Sequence, residues 1–385
     1  MKYPVYLDYN ATTPCHPAVL EEMLPFFSEH FGNPSSGQHP FGWVAEEAVE
    51  VARERVAGLI GAAPKEIIFT SGATEAINLA LRGAVVGLKS KGNHLITIET
   101  EHKAVLDTVQ VLEKQGFEVT YLPVQTDGAV SLDLLKKSIR AQTVLVAVML
   151  ANNETGYLHP LKEMAAIARD QGVLFFTDAV QAVGKVPVNV KALDIDMLAL
   201  SGHKMYGPKG VGALYLRKSK PGITLESQIT GGGQETGRRS GTLNVPGIVG
   251  LGKAAEIAGQ EYMSDGLRLG ELRDKLEKKL LAIPGARLNG TPESRLPHVS
   301  NISFSGVPGK QFLIRINKHL AVSSGSACSS ISDKPSHVLR AMGLDSETAI
   351  ATLRLSLGKS TSEKEVDFAS DFIKKTHQKL KNGSL

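Results

Sequence analysis

The sequence predicts an α/β protein: a large, mostly parallel sheet domain covered by helices, joined to a smaller α+β domain. Three observations predict it. Between about residues 40 and 255, helical periodicity alternates with short apolar runs. Beyond about residue 256 the texture changes to charged helical stretches around two strand-like runs. The 385 residues also exceed the size at which one hydrophobic core keeps growing. The expected division is a large domain over residues 15–255 and a small domain made of residues 1–14 and 256–385.

The elements follow in order. Val44, Ala48, Ala52, Val56 and Ile60 recur at four-residue spacing and mark an amphipathic helix, which Gly61 ends. Apolar runs at 67–69, 95–98, 144–149, 174–176, 197–200 and 212–216 read as strands, most of them separated by helix-length segments such as 161–169. The stretch from Ile229 to Gly241 is too polar and glycine-rich for either element. Leu267, Leu272, Leu276 and Leu280 mark a charged helix, and strands are expected near 299–304 and 352–357. A last helix begins at the capping-box pattern Ser362 to Glu365 and carries Val366, Ala369, Ile373 and Leu380.

Bulk properties exclude several classes. A net charge of +4 with interspersed signs argues against a nucleic-acid surface, and no apolar run approaches membrane-spanning length. The polar start does not resemble a signal peptide, and Cys15 and Cys328, the only cysteines, exclude a disulfide framework. A cytoplasmic, soluble protein is expected.

The chemistry begins with Lys204. It closes Ser201-Gly202-His203-Lys204 directly after an apolar run, at the end of a buried strand where desolvation favours a neutral, nucleophilic amine. Another apolar run ends in Asp178. An aspartate followed one βαβ unit later by a lysine meets the needs of pyridoxal 5'-phosphate (PLP): an anion for the ring nitrogen and an amine for the aldehyde. The strand-to-helix turn Ser71-Gly72-Ala73-Thr74-Glu75 is open to two readings, an anion site at a helix N-terminus or ordinary capping by Ser71 or Thr74. The local sequence favours capping. Gly250 to Ala255 and Gly358-Lys359-Ser360 imitate nucleotide-binding loops without the preceding strand or the first glycine that those loops require. Cys328 lies among small, polar residues, where a buried structural cysteine does not belong, and reads as a nucleophile or carrier. Cys15 reads as a turn residue.

Taken together, the motifs resemble the NifS/IscS-type cysteine desulfurases of the class V aminotransferase group, almost end to end. They are YLDYNATTP at 6–14, FGNPSS at 31–36, FTSGATE at 69–75, TEHK at 100–103, NNE at 152–154, DAVQ at 178–181, SGHKMYGPKG at 201–210, RSGT at 239–242 and SSGSAC at 323–328. The resemblance implies the PLP-dependent transferase fold (aspartate aminotransferase fold type I), with an extended cysteine loop over about 322–335 in the small domain. It also implies roles. Lys204 attaches the cofactor and later moves the Cα proton, Asp178 pairs with the ring nitrogen, and His102 stacks on the ring and serves as acid or base for the substrate thiol. Gln181 and Asn153 lie near the phenolic oxygen. Ala73, Thr74, Ser201 and His203 hold the phosphate, with Thr242 arriving from a second subunit, so a homodimer shares the site. Arg354 binds the substrate carboxylate, with Asn33 beside it.

The implied reaction removes sulfur from L-cysteine, releasing L-alanine and leaving a persulfide on Cys328. That sulfur passes to an acceptor protein, either an iron–sulfur scaffold or a tRNA- or cofactor-thiolating enzyme. No resident metal is implied, although Cys328 could ligate an iron–sulfur cluster transiently. Two departures stand out. The chain stops at Leu385, short of the scaffold-docking tail of the housekeeping members, and Gln234-Glu235-Thr236 replaces a His-Glu-Arg pattern. The competing readings are a selenocysteine lyase or a sulfide-releasing cysteine lyase, neither needing Cys328, and a binding platform without chemistry.

Overall fold

The computed structural model describes residues 4–218, 223, 225–324 and 335–383. Residues 325–334 of the expected cysteine loop, Cys328 included, lie outside them. Among the described residues the strands are β1 (Val5–Tyr6), β2 (Ile67–Thr70), β3 (His94–Ile98), β4 (Glu118–Leu122), β5 (Thr143–Ala147), β6 (Leu174–Asp178), β7 (Met197–Ser201), β8 (Gly212–Leu216), β9 (Ala286–Leu288), β10 (Val299–Phe304), β11 (Leu320–Ala321) and β12 (Thr352–Ser356).

Seven strands form the large sheet in the order β2-β8-β7-β6-β5-β3-β4. The pairs from β7 through β4 are parallel, whereas β8 runs antiparallel to both β7 and β2. Two reversals cancel, so β2 points the same way as β7 and its C-terminal end reaches the same edge of the sheet. β2, β3, β5, β6, β7 and β8 are buried throughout, as continuous apolar runs covered on both faces require. Helix Pro40–Ile60 ends at Gly61 in the left-handed conformation (φ 70°), where the sequence places its stop.

Two apolar cores fill the space on the two sides of this sheet. One holds Phe69, Phe175 and Leu198, and the other holds Ile68, Phe176 and Ala199. A third core lies among β10, β12 and helix Glu363–Lys381, with Leu276, Phe304, Leu355 and Ile373 at its centre. Helix Val245–Leu281 runs 37 residues without a break and contributes to the first and the third cores. The capping box at Ser362 forms as the sequence predicts, with Glu365 returning the hydrogen bond.

Candidate active site

Strand ends that reach one edge of a parallel sheet bring their following residues together. Here β6 ends in Asp178, and β7 ends in Ser201 and continues into the tight turn Gly202–Lys204. Beyond β5 the chain supplies Asn153, beyond β3 His102, and beyond β2 the turn into helix Ala73–Gly87. They line one cavity of about 510 Å³ that also takes in Asn10, Ala11, Gln181, His203 and Arg354.

Lys204 Nζ donates to the main-chain carbonyls of Asn10 (2.5 Å) and Ala11 (2.7 Å). Asp178 is buried, and its Oδ1 accepts the N–H of Val180 at 3.0 Å. Burial pushes its pKa up, against the pull of His102 and Lys204. His102 caps helix Lys103–Lys114, its Nδ1 accepting the N–H of Ala104 at 3.1 Å, which commits that nitrogen and fixes the ring at the helix start. Gln181 donates from Nε2 to the Asn10 carbonyl (2.9 Å) and accepts from Lys185 Nζ at Oε1 (2.9 Å). The His203 imidazole lies 3.1 Å from Thr12 Oγ1; burial, helped by Lys204, pushes its pKa down to about 4, so it stays neutral.

The turn before helix Ala73–Gly87 answers the question that the sequence left open. The N-cap is Gly72 and makes no side-chain cap, so neither Ser71 nor Thr74 plays that part. Glu75 does enter the first turn, but it turns back to accept the Ser71 N–H (2.8 Å) and pairs with Arg239 (2.8 Å). The turn can lie this close to β8 because Gly212 has no side chain: a Cβ there would stand 2.8 Å from the Gly72 main chain. The open end of the helix, where main-chain N–H groups and the dipole favour an anion, borders the cavity at Gly72, Ala73 and Thr74.

Arg354 is 1% exposed. Its Nη2 donates to Asp8 Oδ1 (2.6 Å) and Ser323 Oγ (3.2 Å), and its Nη1 to the Asn153 carbonyl (3.1 Å). Two buried polar atoms beside the cavity, Arg354 Nε and Asn153 Oδ1, have no hydrogen-bond partner among the described residues. A buried donor and acceptor left so are costly unless a ligand completes them.

Of the residues expected from sequence, Ala73, Thr74, His102, Asn153, Asp178, Gln181, Ser201, His203, Lys204 and Arg354 share this cavity. Asn33 and Thr242 do not. The Asn33 side chain accepts the Ser35 N–H at 2.9 Å, and Thr242 lines a separate cavity of about 250 Å³ with Ser71 and Arg239. Cys328 lies outside the described residues. Sequence reasoning assigned no role to Asn10, whose carbonyl receives both Lys204 and Gln181, nor to Glu101, Glu154 and Lys185. Asn10 sat within a motif already quoted, and its long-range partners carry no local signature. Among the described residues no cluster of potential ligands could hold a metal ion, and no helix is long and apolar enough to cross a membrane.

The model of the aminotransferase class-V family matches residues 5–368. A protein named cysteine desulfurase IscS, from Anaeromyxobacter dehalogenans (strain 2CP-C), is 52% identical over 385 residues, 100% of this chain and 95% of that protein. A solved structure named NifS-like protein superposes with a TM-score of 0.89 at 40% identity, covering 97% of this chain and 98% of that one. Another, named SspA in complex with cysteine, gives a TM-score of 0.81 at 39% identity over 92% of this chain and 98% of that one. The chain belongs to the class-V aminotransferase family. Within it the chain stands with the NifS/IscS-like cysteine desulfurases and is an enzyme.

Proposed function

We propose that this cysteine desulfurase uses PLP to take sulfur from L-cysteine, releasing L-alanine and leaving the sulfur as a persulfide on Cys328. The observation that carries the reading is the meeting, in one cavity, of Lys204, the buried Asp178 and the uncapped start of helix Ala73–Gly87. The residues fit the cofactor end for end. The helix start, with Thr74, Ser201 and His203 beside it, suits the phosphate; Asp178, buried and without an ion pair among the described residues, suits a cationic ring nitrogen; and Lys204 suits the aldehyde. When bound, the cofactor supplies an aldehyde that captures amines and a ring that withdraws electrons from the substrate Cα.

The protein's own groups do the rest. Arg354, whose Nε–H has no partner among the described residues, binds the substrate carboxylate, with Asn33 assisting, and so orients the Cα bond facing Lys204. Lys204 takes the Cα proton and returns it, while His102 exchanges a proton with the substrate thiol. Cys328 Sγ, as thiolate, attacks the substrate sulfur. The C–S bond breaks with its electron pair on carbon, and a proton delivered to that carbon completes alanine. The sulfur then passes to an acceptor of iron–sulfur assembly or of tRNA or cofactor thiolation.

A homodimer belongs to the proposal. Phe27, Phe31, Phe41 and Trp43 expose 52–64% of their surfaces around Asn33, and Thr242 stands outside the main cavity. Both features favour a second subunit that covers this face and lends Thr242 across it. The division at residues 15–255 against 1–14 and 256–385 is likewise proposed; the separate third core supports it, with helix Val245–Leu281 threading the boundary. The proposed setting is cytoplasmic.

The test is anaerobic incubation of PLP-loaded protein with L-cysteine and no reductant, followed by peptide mass spectrometry. Extra sulfur on the Cys328 peptide with matching alanine is expected. Alanine with unmodified Cys328 would point to a sulfide-releasing lyase, and neither product from loaded protein would overturn the assignment.

A further inference from the structure

We propose that Lys185 is a positioning residue that acts through Gln181, fixing the amide so that its N–H face looks toward the Asn10 carbonyl and the cavity. This rests on the reading of the cavity as a PLP site.

An amide has two faces of opposite polarity, and only its partners decide which way it points. For Gln181 the partners agree. The Asn10 carbonyl can only accept, so it takes Nε2 at 2.9 Å; the Lys185 amine donates at 2.9 Å, so it takes Oε1. Gln181 lines the cavity, and with one N–H committed to Asn10 its second N–H is the polar group left to face the space beside Lys204. An acceptor oxygen of a bound ligand is what that wall would receive.

Asn10 is itself fixed on every side. Its N–H donates to Ser356 Oγ (2.9 Å), its Nδ2 donates to the Asn153 carbonyl (3.1 Å), and its Oδ1 accepts from His298 Nε2 (2.8 Å). The carbonyl so held receives Lys204 Nζ and Gln181 Nε2 together. Lys185 and His298 therefore stand behind the cavity wall and border a void of about 30 Å³ on its far side. Without Lys185, Oε1 of the buried Gln181 loses its donor. The Asn10 carbonyl alone is then left to hold the amide, which is anchored at one end and free to swing about that contact rather than pinned at both. Nothing in the proposed reaction uses Lys185 directly. Burial, together with Lys204 and Arg354, pushes its pKa well below the ordinary lysine value, and a neutral amine still donates to Oε1.

The experiment compares wild type, Lys185→Met, Gln181→Leu and the double variant by titrating apo protein with PLP. The absorption spectrum of the bound cofactor at one fixed pH is read alongside the dissociation constant. Lys185→Met is expected to weaken PLP binding about tenfold and to change the ratio of the bound-cofactor bands. In the Gln181→Leu background the same change is expected to alter binding less than twofold and leave the spectrum where Gln181→Leu alone puts it. Equal effects in both backgrounds, or an unaltered spectrum and affinity in Lys185→Met, would overturn the inference. If Lys185→Met does not fold, Lys185→Gln, which keeps a shorter donor, is carried through the same cycle and judged by the same coupling. Wild type that forms no bound-cofactor spectrum would instead sink the PLP reading itself.

Discussion

Replacing Glu235 tests whether the glycine-rich stretch after residue 229 is held by a buried ion pair. Glu235 Oε1 and Oε2 receive Arg53 Nη2 and Nη1 at 2.8 and 2.9 Å, and Oε2 also receives the Phe69 N–H at 2.8 Å. The two side chains are 11% and 2% exposed, so the pair is genuinely desolvated. Glu235 and Thr236 are both non-glycine residues in the left-handed region (φ 49° and 54°), a conformation that the ion pair must hold against strain of about 1 kcal/mol each. Removing one partner of a buried pair costs about 3–5 kcal/mol. Arg53 keeps Glu50 at 3.0 Å and the Ile67 carbonyl at 2.9 Å, which argues for the lower end. Glu235→Ala is therefore expected to lose about 3 kcal/mol, and Glu235→Gln, which keeps a neutral acceptor, about 1–2 kcal/mol. The paired change Arg53→Met with Glu235→Leu should recover about 1 kcal/mol of the Glu235→Ala loss, because no charge is left stranded although the Phe69 N–H and the Ile67 carbonyl lose their partners. Urea unfolding followed by far-ultraviolet circular dichroism, at one protein concentration, measures all four. Glu235→Ala within about 0.5 kcal/mol of wild type, or a paired variant no better than the single one, would refute the reasoning.

Three further outcomes are expected. His159 is enclosed against Tyr157, neither ring nitrogen has a partner among the described residues, and burial pushes its pKa from 6.5 down to about 3. Because the unfolded chain takes up this proton first, stability drains as pH falls below 6.5. At pH 5 the gap of about 1.5 pH units is worth about 2 kcal/mol, so His159→Phe should gain about that much at pH 5 relative to its effect at pH 8 in paired melting curves. Arg354→Lys loses the planar fork, and KM for L-cysteine should rise about tenfold to a hundredfold with a smaller change in kcat, read by steady-state alanine release. Asp178→Asn should slow alanine formation by about two orders of magnitude or more, whereas Glu101→Gln should leave it within a few-fold; equal losses would contradict the charge assignment below.

Much of this was legible in the sequence because buried parallel strands must be apolar throughout. The runs at 67–69, 95–98, 174–176 and 197–200 therefore announced themselves, and the residues that end or follow them became the site. β4 escaped notice because it is an edge strand, and the pattern Glu118-Val119-Thr120-Tyr121-Leu122 is only partly buried. Helix Val245–Leu281 was half hidden because its first turns carry glycines that suggest a loop. The reason lies in another element: a Cβ on Gly252 would stand 2.5 Å from the Ala52 Cα, so glycine there lets two helices touch. Asn10, Glu101 and Lys185 were illegible for a different reason. Their partners lie far away in the chain, and no spacing rule connects residue 10 to residues 181, 204 and 298.

The buried acids around the cavity explain how a single negative charge is kept where it is needed. Glu101 is enclosed, with Oε1 accepting the Met149 N–H and Oε2 without a partner among the described residues. Burial and the neighbouring Asp178 push its pKa well above the ordinary range. Burial raises the Asp178 pKa as well, but His102 and Lys204 pull it back. Two neighbouring buried carboxyl groups do not both ionise at little cost, so the proton goes to the one that lacks Lys204 beside it. Glu101 is then the neutral acid and Asp178 the anion. A cationic ring nitrogen against Asp178 would relieve its burial further, while Glu101 gains nothing from it. The fold therefore charges one carboxylate by leaving another protonated beside it, which is why Asp178→Asn and Glu101→Gln, though chemically alike, should behave so differently.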